Sequence, residues 1–103
     1  MTNTELIDCL EENNLCRYIV LNNSVNGGTQ VVLKFNNGYG VSIVKHSFSY
    51  GSRLGLFELA VVAFSDNDFS LCYTTPITND VIGYLTVDDC KNIILEVIVL
   101  PSE

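Results

Sequence analysis

Apolar and polar residues follow a helical spacing at both ends of the chain and a strand spacing between them. Near the N-terminus, Leu6, Ile7 and Leu10 make one apolar face of a short helix. Thr2 and Glu5 stand at capping-box spacing, where each side chain satisfies a backbone N–H that the first helical turn leaves open. Asn13 and Asn14 supply the stop, because asparagine tolerates the left-handed conformation that follows many helices. At the other end, Val87, Cys90, Ile93, Ile94, Val97 and Ile98 recur as the buried stripe of a longer helix. Thr86 and Asp89 repeat the capping-box spacing, and Asp88 and Asp89 lie where the helix dipole favours negative charge. Pro101 blocks continuation. The β-branched residues within 93–99 give the end of this helix some strand character.

The middle of the chain reads as strands. The spacing predicts a strand over 16–21 with Tyr18 and Val20 on one side, then a polar, glycine-rich loop over 22–28. Strands over 30–35 and 39–46 flank Asn36-Asn37-Gly38. A two-residue turn there mixes polar and apolar residues on both faces. A three-residue loop with Gly38 left-handed instead pairs Phe35 with Tyr39, Leu33 with Val41 and Val31 with Ile43. That register gives one continuous apolar face, and a one-residue slip would exchange the faces, so burial selects it. The opposite face carries Gln30, Val32, Lys34, Gly40, Ser42 and Val44. Residues 47–55 form a connecting loop. Residues 56–64 are apolar on both faces except at Glu58, the signature of a central strand. Ser65-Asp66-Asn67-Asp68 is a tight polar turn, residues 69–73 return as an antiparallel partner, and a threonine-rich loop runs on to Leu85.

These elements predict an α+β fold: a four- to five-stranded, mainly antiparallel sheet with the N-terminal and C-terminal helices packed on one face. With 103 residues, 48% of them hydrophobic, the chain suits one compact domain spanning 1–103. A chain of this size buries roughly 60–70% of the surface it exposes when unfolded, enough for one core without staples. No apolar run approaches the roughly 18 residues of a membrane-spanning helix. The N-terminus has neither the basic nor the long apolar region of a secretory signal, so a cytoplasmic location is expected. Cys9, Cys16, Cys72 and Cys90 include no CxxC pair, and His46 is the lone histidine. Reduced thiols are therefore expected, with no metal site and no cofactor.

Charge is unevenly placed. The net charge is -7. Glu5, Asp8, Glu11 and Glu12 crowd the first helix. No acidic residue falls between 13 and 57, where Arg17, Lys34, Lys45 and Arg53 occur. Beyond that stretch Lys91 is the one basic residue among many carboxylates. This balance argues against direct nucleic-acid binding, which uses a basic face. It suits a basic partner, including the DNA channel of a nucleic-acid enzyme, and it also serves solubility.

Three segments are candidates for chemistry. His46 and Glu58 fall on consecutive strands, where a carboxylate orienting an imidazole is half of a general-base arrangement, with Ser47, Ser49 or Tyr50 as hydroxyl donors. No nucleophile-elbow pattern accompanies them. Tyr50-Gly51-Ser52-Arg53-Leu54-Gly55 has the composition of an anion-binding backbone nest, with Arg53 adding charge. It lacks the spacing of a phosphate-binding loop. Thr74-Thr75-Pro76-Ile77-Thr78-Asn79-Asp80 is a stiff loop suited to partner presentation, because Pro76 fixes one dihedral and pushes Thr75 to an extended shape. Asp66 and Asp68 lack calcium-loop spacing.

The segments NNGYGVSIVKHSFSYG, GLFELAVV and LCYTTPITNDVIGYLT resemble a group of small accessory proteins encoded by tailed bacteriophages and prophages, over about residues 36–85. The group carries no assigned activity, so the resemblance implies no catalytic residue. It implies a phage context, in which small acidic single-domain proteins include inhibitors of bacterial defence such as anti-CRISPR proteins. The expectation is a non-enzymatic phage or mobile-element protein that binds and inhibits a host protein of the defence-nuclease class. Its contacts would come from Thr75, Ile77, Thr78, Asp80, Asp66, Asp68, Tyr50 and Arg53. The alternative is a phage accessory or assembly protein acting as a homo-oligomer, in its simplest form a homodimer. A small enzyme or nucleotide binder built on His46, Glu58 and the loop over 50–55 stands third.

Overall fold

In a computed structural model, the described residues are 4–25, 28–45, 55–66, 68–71 and 81–102. Helix α1 spans Thr4–Glu12 and a 3-10 turn follows over Cys16–Tyr18. The strands are β1 Ile19–Val25, β2 Gly28–Lys34, β3 Tyr39–Lys45, β4 Phe57–Ser65, β5 Asp68–Leu71 and β6 Ile82–Leu85. Helix α2, Val87–Ile98, ends the fold. The expected α+β architecture holds: a curled antiparallel sheet in the order β1-β2-β3-β4-β5, with β6 also paired to β4 and the two helices on one face.

The β2–β3 hairpin has the register that burial selects. Leu33 pairs with Val41 and Val31 with Ile43, the Phe35 N–H donates to the Tyr39 carbonyl over 2.8 Å, and Gly38 takes φ +88°. The resulting apolar face meets Leu6 and Leu10 of α1 and Cys90, Ile94 and Val97 of α2 in one core, which also takes in Phe57, Leu59 and Val61 of β4. Asn14 ends the first helical segment in the left-handed conformation, φ 59°. At the start of α2 the Asp89 N–H donates to Thr86 Oγ1 over 3.1 Å, and the Thr86 N–H donates to Asp89 Oδ2 over 3.0 Å. Both halves of the capping box are therefore present, satisfying two N–H groups the first turn cannot.

Three expectations change. The strand expected over 16–21 starts as a 3-10 turn and becomes β1 only at Ile19. Of the loop expected over 22–28, residues 22–25 and Gly28 are instead ladder, with Asn22 opposite Val31 and Val25 opposite Gly28. Asn22 and Asn23 are exposed, so polar side chains are compatible with a strand at the sheet edge, and Asn-Gly at 26–27 is the strongest short hairpin signal. The loop expected to run to Leu85 ends earlier, because Ile82–Leu85 form β6. The face opposite the helices is itself partly buried: Val32 and Val62 are fully buried, and Gly40, Ser42 and Ala60 are buried with them.

Strand β4 is central, as its doubly apolar sequence predicts. One side pairs with β3; the other is shared by β5, opposite 62–65, and β6, opposite 57–59. Both partners run antiparallel to β4, so β5 and β6 are two stretches of one interrupted edge. The gap between Val62 and Leu59 along β4 is about 10 Å at the usual strand rise. The chain between Leu71 and Ile82 joins its two ends.

Candidate binding surfaces

Of the residues expected to bind a partner, Asp66 and Asp68 are described; Tyr50, Arg53, Thr75, Ile77, Thr78 and Asp80 lie outside the described residues, as do His46, Ser47 and Ser49. Asp66 and Asp68 are both exposed and flank the β4–β5 turn. Asp66 is left-handed, φ 57°. It is its carbonyl that makes the long-range contact, accepting from Lys34 Nζ at 3.2 Å. Glu58 is half-buried on β4, opposite Val44 of β3.

The first surface is the outer side of the helices. Glu5, Asp8, Glu11 and Glu12 of α1 are exposed, and so are Asp88, Asp89 and Glu96 of α2. The two helices pack together, and their charges converge. The Cys9 thiol is pushed up first by burial and further by Asp88 from α2 and Glu12 from its own helix, while Lys91 pulls the other way. Lys91 is the sole basic residue of the two helices. Beneath this layer the Cys90 thiol is pushed up to about 12, by burial first and then by Asp89 and Cys9. Away from the helices the described cations lie over aromatic rings: Arg17 over Tyr18 at 4.9 Å, Lys34 over Phe64 at 5.3 Å and Lys45 over Phe57 at 4.6 Å. Folding thus gathers carboxylates with a single cation on the helical layer, while on the sheet Lys34 and Lys45 stand with Glu58, Asp66 and Asp68.

The second surface is a groove of about 250 Å³ lined by Val20, Leu21, Lys34, Phe64 and Phe69. β1 and β5 stand at opposite ends of the strand order, so their meeting in one groove shows how far the sheet curls. Three local departures from regular sheet shape it. A bulge between Ile19 and Leu21 inserts Val20. Neighbours on a regular strand point to opposite faces; here Val20 and Leu21 line the same groove, the re-aiming a bulge produces. Gly40 leaves room for Phe64, since a Cβ there would stand 2.6 Å from Phe64 Cε2 and collide with the Leu33 carbonyl oxygen. Left-handed Asp66 supplies the carbonyl that holds Lys34. Phe64 and Phe69 are cross-strand partners with ring centroids 5.4 Å apart.

Sequence reasoning missed this groove because none of its residues is unusual alone, although a lone glycine inside a strand pattern, Gly40, is a signal of close approach. It also missed Tyr84, 60% exposed at a bulge of β6 against β4 with φ 59°, an uncommon backbone for an aromatic residue. Among the described residues no group of His, Cys, Asp and Glu is arranged to hold a metal ion, and no helix is long and apolar enough to cross a membrane. No known protein family, curated protein or solved structure matches the chain.

Proposed function

We propose that the chain is a non-enzymatic phage or mobile-element protein that acts in the bacterial cytoplasm, where it binds and inhibits a host protein of the defence-nuclease class. The carboxylates gathered on the outer side of α1 and α2, with Lys91 as the one cation among them, carry this reading. A nuclease holds its substrate by phosphate contacts in a basic channel. A compact acidic layer competes for the same charge, and its field speeds encounter with a basic surface. The phage resemblance over about residues 36–85 supports the same reading.

The test is phage plating on bacterial strains that each carry one nuclease-based defence. Expression of the wild-type chain should restore plating in one strain. A chain with Asp8→Asn, Glu11→Gln and Glu12→Gln should keep its circular dichroism spectrum and lose that restoration. Restoration in none of the strains, or equal restoration by the neutralised chain, refutes the reading. The homo-oligomeric alternative rests on the exposed apolar residues of β1 and β5, Val20, Phe69 and Leu71, and predicts a stable dimer of the isolated chain in native mass spectrometry.

A further inference from the structure

The groove between β1 and β5 has features that the fold alone does not require. Its walls are apolar, yet one side chain in it is charged. Lys34 is half-buried along its stem, and its ammonium sits at the exposed rim, over Phe64 and held by one hydrogen bond to the Asp66 carbonyl. An ammonium has three N–H donors, and no other protein acceptor for Lys34 is found among the described residues. Two donors beside an apolar slot make a complement for a carboxylate next to an apolar group. The apolar strip also runs past the slot. Leu71 stands two residues beyond Phe69 on the same face of β5 and is 46% exposed, while Val20 on the facing edge is 55% exposed. An occupant that covers both is longer than a small carboxylic acid, and an extended peptide, whose alternate side chains fall on one side, matches such a strip.

We propose that this groove binds an extended peptide segment of a partner protein, which places one apolar side chain against the paired rings of Phe64 and Phe69, a second over Leu71, and a carboxylate on the Lys34 ammonium. Alternate side chains of the extended segment supply the specificity. The site lies on the sheet face opposite the helices and is independent of the acidic layer invoked above. Variants of the one leave the other intact, so either reading can fail alone.

The experiment is a titration of the full-length chain followed by amide and methyl NMR. Three probes are used: a blocked hexapeptide alternating leucine and serine with one aspartate, the same peptide with asparagine in place of aspartate, and octanoate. The aspartate peptide should shift Val20, Leu21, Phe64, Phe69 and Leu71. The asparagine peptide should bind about tenfold more weakly, the effect of losing one charged hydrogen bond. Lys34→Met keeps the apolar stem and should abolish the difference between the two peptides. Octanoate binding as tightly as the aspartate peptide overturns the proposal in favour of a small-ligand pocket. Equal binding of the two peptides to the wild-type chain, shifts confined to the helices, no shift at millimolar peptide, or a stable dimer that buries these residues overturns it as well.

Discussion

Asn37 ties the sheet to the end of α2, and its replacement gives a sharp test of the packing argument. From the β2–β3 turn its Nδ2 donates to the carbonyls of Val97 at 2.8 Å, Ile98 at 3.3 Å and Leu100 at 3.0 Å. Its Oδ1 accepts the Tyr39 N–H at 3.0 Å. Val97 and Ile98 are the last residues of α2 and Leu100 follows it; the Val97 carbonyl also accepts the Leu100 N–H at 3.1 Å, so Asn37 adds a second tie at a helix end whose carbonyls run short of donors. Asn37→Ala removes the equivalent of three hydrogen bonds at roughly 0.5–1.5 kcal/mol each, so the expected loss is about 2–3 kcal/mol. That is a large part of the roughly 5–15 kcal/mol typical of a domain, and it lowers Tm by about 10–20 °C at this chain length. Asn37→Asp separates the two roles of the residue. Aspartate keeps the Oδ1 acceptor and suits a turn, but it places a carboxylate against the negative end of the helix dipole. If Asn37 caps α2, the aspartate variant is at least as unstable as the alanine variant. Asn36→Asp adds the same charge at the neighbouring exposed position and should stay within about 0.5 kcal/mol of wild type. Urea denaturation followed by circular dichroism gives the three values, and hydrogen exchange at 97–100 localises the effect. An Asn37→Asp chain within about 0.5 kcal/mol of wild type would refute the capping role and leave Asn37 as a turn residue only.

Gly40→Ala should destabilise by about 2–4 kcal/mol, at or beyond the usual upper range of overpacking, because the added Cβ meets both the Leu33 carbonyl and Phe64. Adding Phe64→Ala should not restore the wild-type value, since the carbonyl clash remains; full recovery in the double variant, measured by denaturation, would mean that only the ring is crowded. For Cys90, the folded-state pKa of about 12 lies above the ordinary value of 9.0. The neutral buried thiol therefore contributes its full stability below about pH 9 and loses it as pH rises towards 12, at up to about 1.4 kcal/mol per pH unit. Stability measured by denaturant at successive alkaline pH values should fall less steeply for Cys90→Ala than for wild type, and equal slopes would contradict the assignment.

Local pattern fixed much of this fold. The α2 capping box needs only Thr86 and Asp89 three residues apart, and the β2–β3 register follows from which pairing gathers Val31, Leu33, Val41 and Ile43 on one side. Both rest on short-range geometry and on the period of side-chain direction, which a sequence displays directly. The chain's acidic and basic stretches were equally plain. Whether they became surfaces was not, because that depends on α1 and α2 meeting side by side, a contact between residues far apart in the chain. The strand over 22–25 escaped notice for a related reason: its polar side chains give no apolar period, and its backbone is satisfied only by the partner strand across Asn26-Gly27. Of the expected binding loops, residues 50–54 and 74–80 lie outside the described residues, so the sequence alone speaks for them. The groove between β1 and β5 belongs wholly to tertiary structure. Val20, Lys34, Gly40, Phe64 and Phe69 are ordinary residues on five different strands, and only the curl of the sheet, which brings its first and last strands together, turns them into one site.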